Sequence, residues 1–258
     1  MIRLFLFLLF LAPAAASADC VVLLHGLARS DLSMTLLQEV LTRRGYAVVN
    51  PDYASTEVPI GEMAEATVPA AMAECPEGTV HFVTHSLGGI LVRRAFLEGA
   101  PERLGRVVMM GPPNRGSQLA ESLDDWEVFG LMMGPAGRQL GTGPASVPLS
   151  LPGVDYPVGV IAGNRTLNPV FSAMIDGPDD GKVGVEETEL EGMAERIVLP
   201  VTHTFMMNNP VAIAEAIRFL EQGSFAGDIT WAQAVAELAG VDCSTLPGCE
   251  ENLGEDSR

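Results

Sequence analysis

A chain of 258 residues can bury one sizeable core and at most a small appendage. Its formal net charge is −18, from 33 acidic against 15 basic residues, with no basic cluster to neutralise phosphates. That argues against nucleic acid as a partner and reads as a solvated acidic surface.

Arg3 precedes an apolar run at 4–11, and Ala16-Ser17-Ala18 is a small-x-small processing pattern. Residues 1–18 therefore read as a secretory signal peptide, because the apolar run is too short for a resident membrane helix. Asp19, directly before Cys20, is wrong for a lipoprotein signal. No other segment is long enough to span a bilayer, so a periplasmic or extracellular protein is expected, in a compartment where disulfides form. The four cysteines allow three pairings. They show no C-x-x-C spacing and no clustering with histidine, which argues against a catalytic thiol or a metal site.

Residues 19–223 are expected to form one core. Val21-Val22-Leu23-Leu24 reads as a buried strand ending at His25-Gly26. Leu32, Leu36, Leu37, Val40 and Leu41 lie at helical spacing and predict a helix over about 32–44, stopped by Gly45. A strand at 46–50 follows, then a helix over 61–74 interrupted by Pro69. The apolar run 79–83 leads through Thr84-His85-Ser86-Leu87-Gly88 into a helix-compatible run at 90–97. Further strands are expected at 106–110, 157–162 and 196–199, and a helix near 211–220. Strands that are nearly continuous in apolar residues and alternate with helices predict an α/β fold. Its sheet is mostly parallel, of about six strands, with helices on both faces.

Residues 117–153 differ. Gly, Pro and Met are frequent, periodicity is poor, and Trp126, Phe129, Leu131, Met132 and Met133 fall here. Two expectations stand side by side: a lid or acyl-binding wall, and a surface excursion whose apolar residues pack back onto the core. Residues 224–258 read as a C-terminal appendage with a short helix at 230–238 and an acidic tail.

The junction at Ser86 carries the chemistry. A serine on a sharp strand-to-helix turn is lifted above the sheet as a nucleophile, and its neighbours must be small because the backbone is strained and crowded. Gly88 meets that need; Thr84 stands where glycine is commoner, giving a T-x-S-x-G variant. A serine hydroxyl also needs a base to take its proton and a carboxylate to orient that base. In α/β-hydrolases, which this turn resembles, the chain order is serine, acid, histidine. Of His25, His81, His85 and His203, only His203 follows Ser86. It lies just past the last strand, at the carboxyl edge where open α/β sheets bind ligands. His25 reads as a structural loop residue, His81 as a sheet residue and His85 as a filler beside the nucleophile. Asp176, Asp179 and Asp180 crowd into one loop after the 157–162 strand. Gly181 lets the chain turn so that the Asp180 carboxylate points back over the sheet, which makes Asp180 the first candidate acid and Asp179 the second. The oxyanion hole is expected from the backbone N–H of Leu87, at a helix N-terminus, and of Leu27, after Gly26.

Taken in order, His25-Gly26-Leu27, Thr84-His85-Ser86-Leu87-Gly88-Gly89, Gly111-Pro112-Pro113-Asn114-Arg115-Gly116-Ser117, Asp180-Gly181-Lys182-Val183 and Val201-Thr202-His203 resemble the lipase/esterase branch of the α/β-hydrolase superfamily. The likeness is nearest to small bacterial lipases and to the inositol-deacylating esterases, and spans about residues 20–222. It implies cleavage of carboxylic esters through an acyl-enzyme without a cofactor. The substrate would be an ester or lipid, and the apolar 117–153 segment favours one with an apolar acyl group. It also implies that the His25-Gly26 strand neighbours the nucleophile strand, which suits a Cys20–Cys75 disulfide; Cys243 and Cys249 would close a small loop. The mature chain is expected to start at that strand, so the two leading strands of the full superfamily fold are expected to be missing. An acyltransferase or thioesterase on the same triad, and a non-catalytic binding or folding-helper protein on the same scaffold, are the alternatives.

Overall fold

The computed structural model describes residues 18–124, 126–245 and 249; the side chains of 127–131 and 245 are not among the described ones. The signal peptide expected at 1–18 lies outside these residues except for Ala18, and so does the acidic tail.

Six strands form one parallel sheet: β1 (Cys20–Leu24), β2 (Ala47–Val49), β3 (Val80–His85), β4 (Leu104–Met110), β5 (Val158–Gly163) and β6 (Glu195–Leu199). Their order across the sheet is β2-β1-β3-β4-β5-β6. Both faces are covered, so alternate residues of one strand feed two cores. Val22 and Leu24 pack with Phe82, Val107 and Met109 on one side. Val21 and Leu23 pack with Val83, Val108 and Ile161 on the other. That is why the central strands read as nearly continuous apolar runs.

Helix α1 (Thr35–Arg43) buries Leu37, Val40 and Leu41 against the second core. It starts later than the expected 32–44 because residues Asp31–Met34 form a 3-10 turn that leaves Leu32 exposed and sinks Met34 instead. Helix α2 (Ile60–Glu74) runs on through Pro69, where an interruption was expected. Its stripe Ile60, Met63, Ala64, Val68 and Ala71 is buried in the first core, while Pro69 stands on the exposed side. The backbone hydrogen bond that proline removes is therefore lost at the solvent-facing side, and packing of the inner stripe carries the helix across it. Helix α3 (Leu87–Ala95) packs beside α2. Residues 117–153 are more regular than their sequence suggests. They hold α4 (Gln118–Leu123), α5 (Glu127–Arg138, kinked at Gly134) and α6 (Val147–Ser150). Arg93 of α3 lies buried beneath them and donates to Asn114, Pro148, Leu151 and Pro152 carbonyls; burial draws its pKa down to about 10.

After the one-turn helix α7 (Pro169–Ser172), α8 (Pro210–Gln222) joins α1 on the second core. Helix α9 (Trp231–Ala239) opens with a capping box between Thr230 and Gln233. Arg44 reaches both Glu221 and Glu237, at 3.1 and 2.7 Å, tying the ends of α1, α8 and α9 together.

Both expected disulfides are present, Cys20–Cys75 and Cys243–Cys249. The first joins the start of β1 to the end of α2 across 55 residues of sequence. On loop-closure entropy, a Cys20→Ala/Cys75→Ala double variant is expected to lose about 4 kcal/mol of stability. Denaturant melts under oxidising conditions measure this, and an unchanged midpoint would show that the crosslink contributes nothing.

Candidate active site

Ser86 sits between the last residue of β3 and the first of α3 with φ +53° and ψ −118°, a conformation that L-residues rarely adopt. Its N–H donates to the Met110 carbonyl at 2.8 Å, so the turn is pinned to β4. At Gly88 a Cβ would stand 2.5 Å from the Leu24 carbonyl oxygen, so only glycine lets α3 leave so close to β1. Thr84 is fully buried in β3, and its hydroxyl donates to the Val108 carbonyl at 3.3 Å. The sheet thus satisfies the one polar group that the threonine adds.

His203 follows β6 at the start of a 3-10 turn and is buried. Its Nδ1–H donates to Asp180 Oδ2 at 2.7 Å, and its backbone N–H donates to the Asp180 carbonyl at 2.9 Å. The other carboxylate oxygen of Asp180 accepts from the N–H groups of Lys182 and Val183, at 3.0 and 2.8 Å. These bonds to the charged form aim the carboxylate at the imidazole. Gly181 carries φ +97°, the turn the sequence calls for. Asp179 is committed elsewhere: its oxygens accept from the Gly181 N–H and the Ser172 hydroxyl of α7. Asp176 is exposed.

Ser86 and His203 line one cavity of about 530 Å³. Its apolar wall comes from Leu119, Leu123, Trp126, Met132 and Met133 of the α4–α5 region and from Phe171 of α7. Leu27 lines it as well. At the neighbouring Gly26, a Cβ would stand 3.2 Å from the Ser86 Cβ, so the backbone after β1 lies against the serine. The N–H of Ala28 already donates to Ser55 Oγ at 3.0 Å. Leu87 is the first residue of α3, and its side chain is buried.

His25 is stacked on Tyr53 at 3.8 Å and makes a 3.0 Å contact to the Gly26 carbonyl through Nδ1, a loop-shaping role. His81 accepts from the Arg106 N–H within the sheet. Two residues do more than sequence reasoning foresees. His85 is buried, and its Nε2–H donates to the His203 carbonyl at 2.9 Å, holding the backbone of that loop. Glu187 accepts from the N–H groups of Gln118 and Gly184, both at 2.8 Å, and straps the Asp180 loop to the start of α4. Burial raises the Glu187 carboxyl pKa. Nothing in the local pattern signals either role, since His203 and Gln118 lie far from His85 and Glu187 in the chain.

Burial, with the neighbouring His203, Arg29 and Lys182 charges behind it, pushes the His85 pKa well below 6.5, and burial likewise lowers those of His25 and His81. Below pH 6.5 the unfolded chain takes up protons that these folded imidazoles refuse. Stability is therefore full above that pH and falls as acid is added, each histidine contributing up to about 1.4 kcal/mol per pH unit. Melting temperatures between about pH 7.5 and pH 5 should fall, and less steeply in His85→Gln. Equal slopes in the two proteins would remove His85 from the account.

No curated protein matches the sequence significantly. Among solved structures, the mature lipase BlEst2 of Bacillus licheniformis superposes with a TM-score of 0.63 at 19% identity, covering 83% of this chain and 95% of that one. Phospholipase PlaB of Legionella pneumophila gives 0.64 at 20% identity, covering 88% of this chain and 63% of the phospholipase. A metagenomic carboxyl esterase, MGS0156, gives 0.56 at 20% identity, with coverage of 88% and 76%. These likenesses concern the fold. The profile of the "Alpha/beta hydrolase family" matches residues 21–249, nearly the whole described chain, and the protein belongs to that family.

Proposed function

We propose that this protein is an exported serine hydrolase that cleaves carboxylic esters bearing an apolar acyl group. Ser86 Oγ attacks the ester carbonyl as His203 Nε2 accepts its proton. Asp180 holds the Nδ1–H of that imidazole and stabilises the cation that forms. The N–H groups of Leu27 and Leu87 receive the negative charge that develops on the carbonyl oxygen. His203 then returns its proton to the departing alkoxide, leaving an acyl-Ser86 ester. Water, deprotonated by the same imidazole, hydrolyses that ester to the acid and frees the serine.

One observation carries this reading: a buried imidazole, locked at 2.7 Å to a buried carboxylate, lines the same cavity as a serine held in a strained strand-to-helix turn. The tautomer follows from the partner, because a carboxylate only accepts and so Nδ1 carries the hydrogen, leaving Nε2 basic. The α4–α5 wall supports an acyl chain as the group that fills the cavity. Across a p-nitrophenyl series from acetate to octanoate, kcat/KM is expected to rise at least about tenfold, since each methylene buried from water is worth about 0.8 kcal/mol. A preference for acetate would assign the wall to the core and not to substrate.

A further inference from the structure

Lys182 is the only lysine in the 258 residues, and it lies on the active-site cavity. Its backbone is fixed on both sides: its N–H donates to Asp180 Oδ1, and its carbonyl accepts from Ser117 Oγ at 3.0 Å. Arg29, two residues past Leu27, lines the same cavity and is steadied by donation to the Thr204 carbonyl at 3.2 Å. None of the described lining residues is acidic, although the chain carries 33 acidic residues. Among the described residues no carboxylate lies within 4.0 Å of the Lys182 ammonium. Desolvation and the nearby Arg29 charge lower the Lys182 pKa, while the Asp180 carboxylate partly offsets them. Two mutually repelling cations thus face one space in a protein whose overall field repels anions. A negative ligand would relieve that repulsion and accept hydrogen bonds from both cations.

We propose that Arg29 and Lys182 form an anion subsite of this cavity, and that the preferred esters carry a phosphate or carboxylate on the alcohol side of the scissile bond. The side of the bond follows from the wall: Leu119, Leu123, Trp126, Met132 and Phe171 suit an acyl chain and would strand a charge. The inference rests on the ester-hydrolase reading above and narrows it to a substrate class.

Matched esters below their micellar concentrations test it: 1-hexanoylglycerol, its 3-phosphate, and the hexanoyl ester of glyceric acid. The wild-type protein is expected to favour at least one anionic ester by about tenfold in kcat/KM, the effect of one charge-assisted hydrogen bond. Added salt should erode that ratio. In Lys182→Met the ratio should fall towards one, and Lys182→Arg should restore it. Comparing the two anions identifies which group the subsite takes. A ratio near one in the wild type, or one that Lys182→Met leaves intact, overturns the proposal. If no ester is cleaved, the hydrolase reading fails, and binding decides the subsite separately. Reductive methylation with 13C-formaldehyde gives one dimethyl-lysine signal besides the amino terminus. That signal should move on titration with hexyl phosphate and stay put with hexanol; no movement with either overturns the subsite.

Discussion

Ser86→Ala is expected to lower ester turnover by about ten-thousand-fold or more, the range seen when a triad nucleophile is removed. The same substitution should abolish covalent labelling by a fluorophosphonate, which the wild-type protein should accept stoichiometrically. The fold should survive, because among the described residues the hydroxyl makes no hydrogen bond that holds the turn; the Met110 carbonyl is bound through the backbone. Alanine leaves the strain of φ +53° in place. Ser86→Gly should be equally inactive yet more stable, by about 1 kcal/mol, because glycine enters that region without a Cβ clash. A dead, stabilised glycine variant would locate the stored strain at the nucleophile. Labelling that persists in Ser86→Ala would move the nucleophile elsewhere and dissolve the proposed chemistry.

How far the sequence reveals this molecule depends on the range of the interactions involved. The central strands were legible because burial on both faces leaves uninterrupted apolar runs such as Val21–Leu24 and Val107–Met110, a local signal. The junction at Ser86 was legible because strain and crowding restrict its neighbours to small residues. Pro69 misleads because proline's local penalty is outweighed by a packed stripe whose partners, on α3 and the sheet, are remote in sequence. The 117–153 segment misleads in the same way: its short helices are held by Arg93 from below and Glu187 from the side, and neither contact has a local signature. Asp179 and Asp180 are adjacent and both precede Gly181, so the motif alone leaves them open. What separates them is a hydroxyl on α7 and an imidazole beyond β6.

That separation sets up the second large effect. Asp180→Asn is expected to reduce kcat by about ten-thousand-fold with a small change in stability. An amide can keep accepting from the Lys182 and Val183 N–H groups through one oxygen, so the loop stays closed. Towards His203, however, it would present an N–H group in place of an acceptor. The imidazole would then keep its lone pair on Nδ1 and carry the hydrogen on Nε2, the atom that must act as base. Geometry would be preserved and the proton acceptor lost. Asp179→Asn inverts the pattern. Its carboxylate orders the Gly181 N–H and Ser172 hydroxyl without touching His203, so the expected cost is about 1–2 kcal/mol of stability and less than about tenfold in rate. Measuring both variants side by side removes any ambiguity from loop disturbance, since one change perturbs the loop and the other only the charge facing the imidazole. Full activity in Asp180→Asn together with its loss in Asp179→Asn would transfer the orienting role one residue upstream. The 2.7 Å contact would then be a structural pair with no part in turnover.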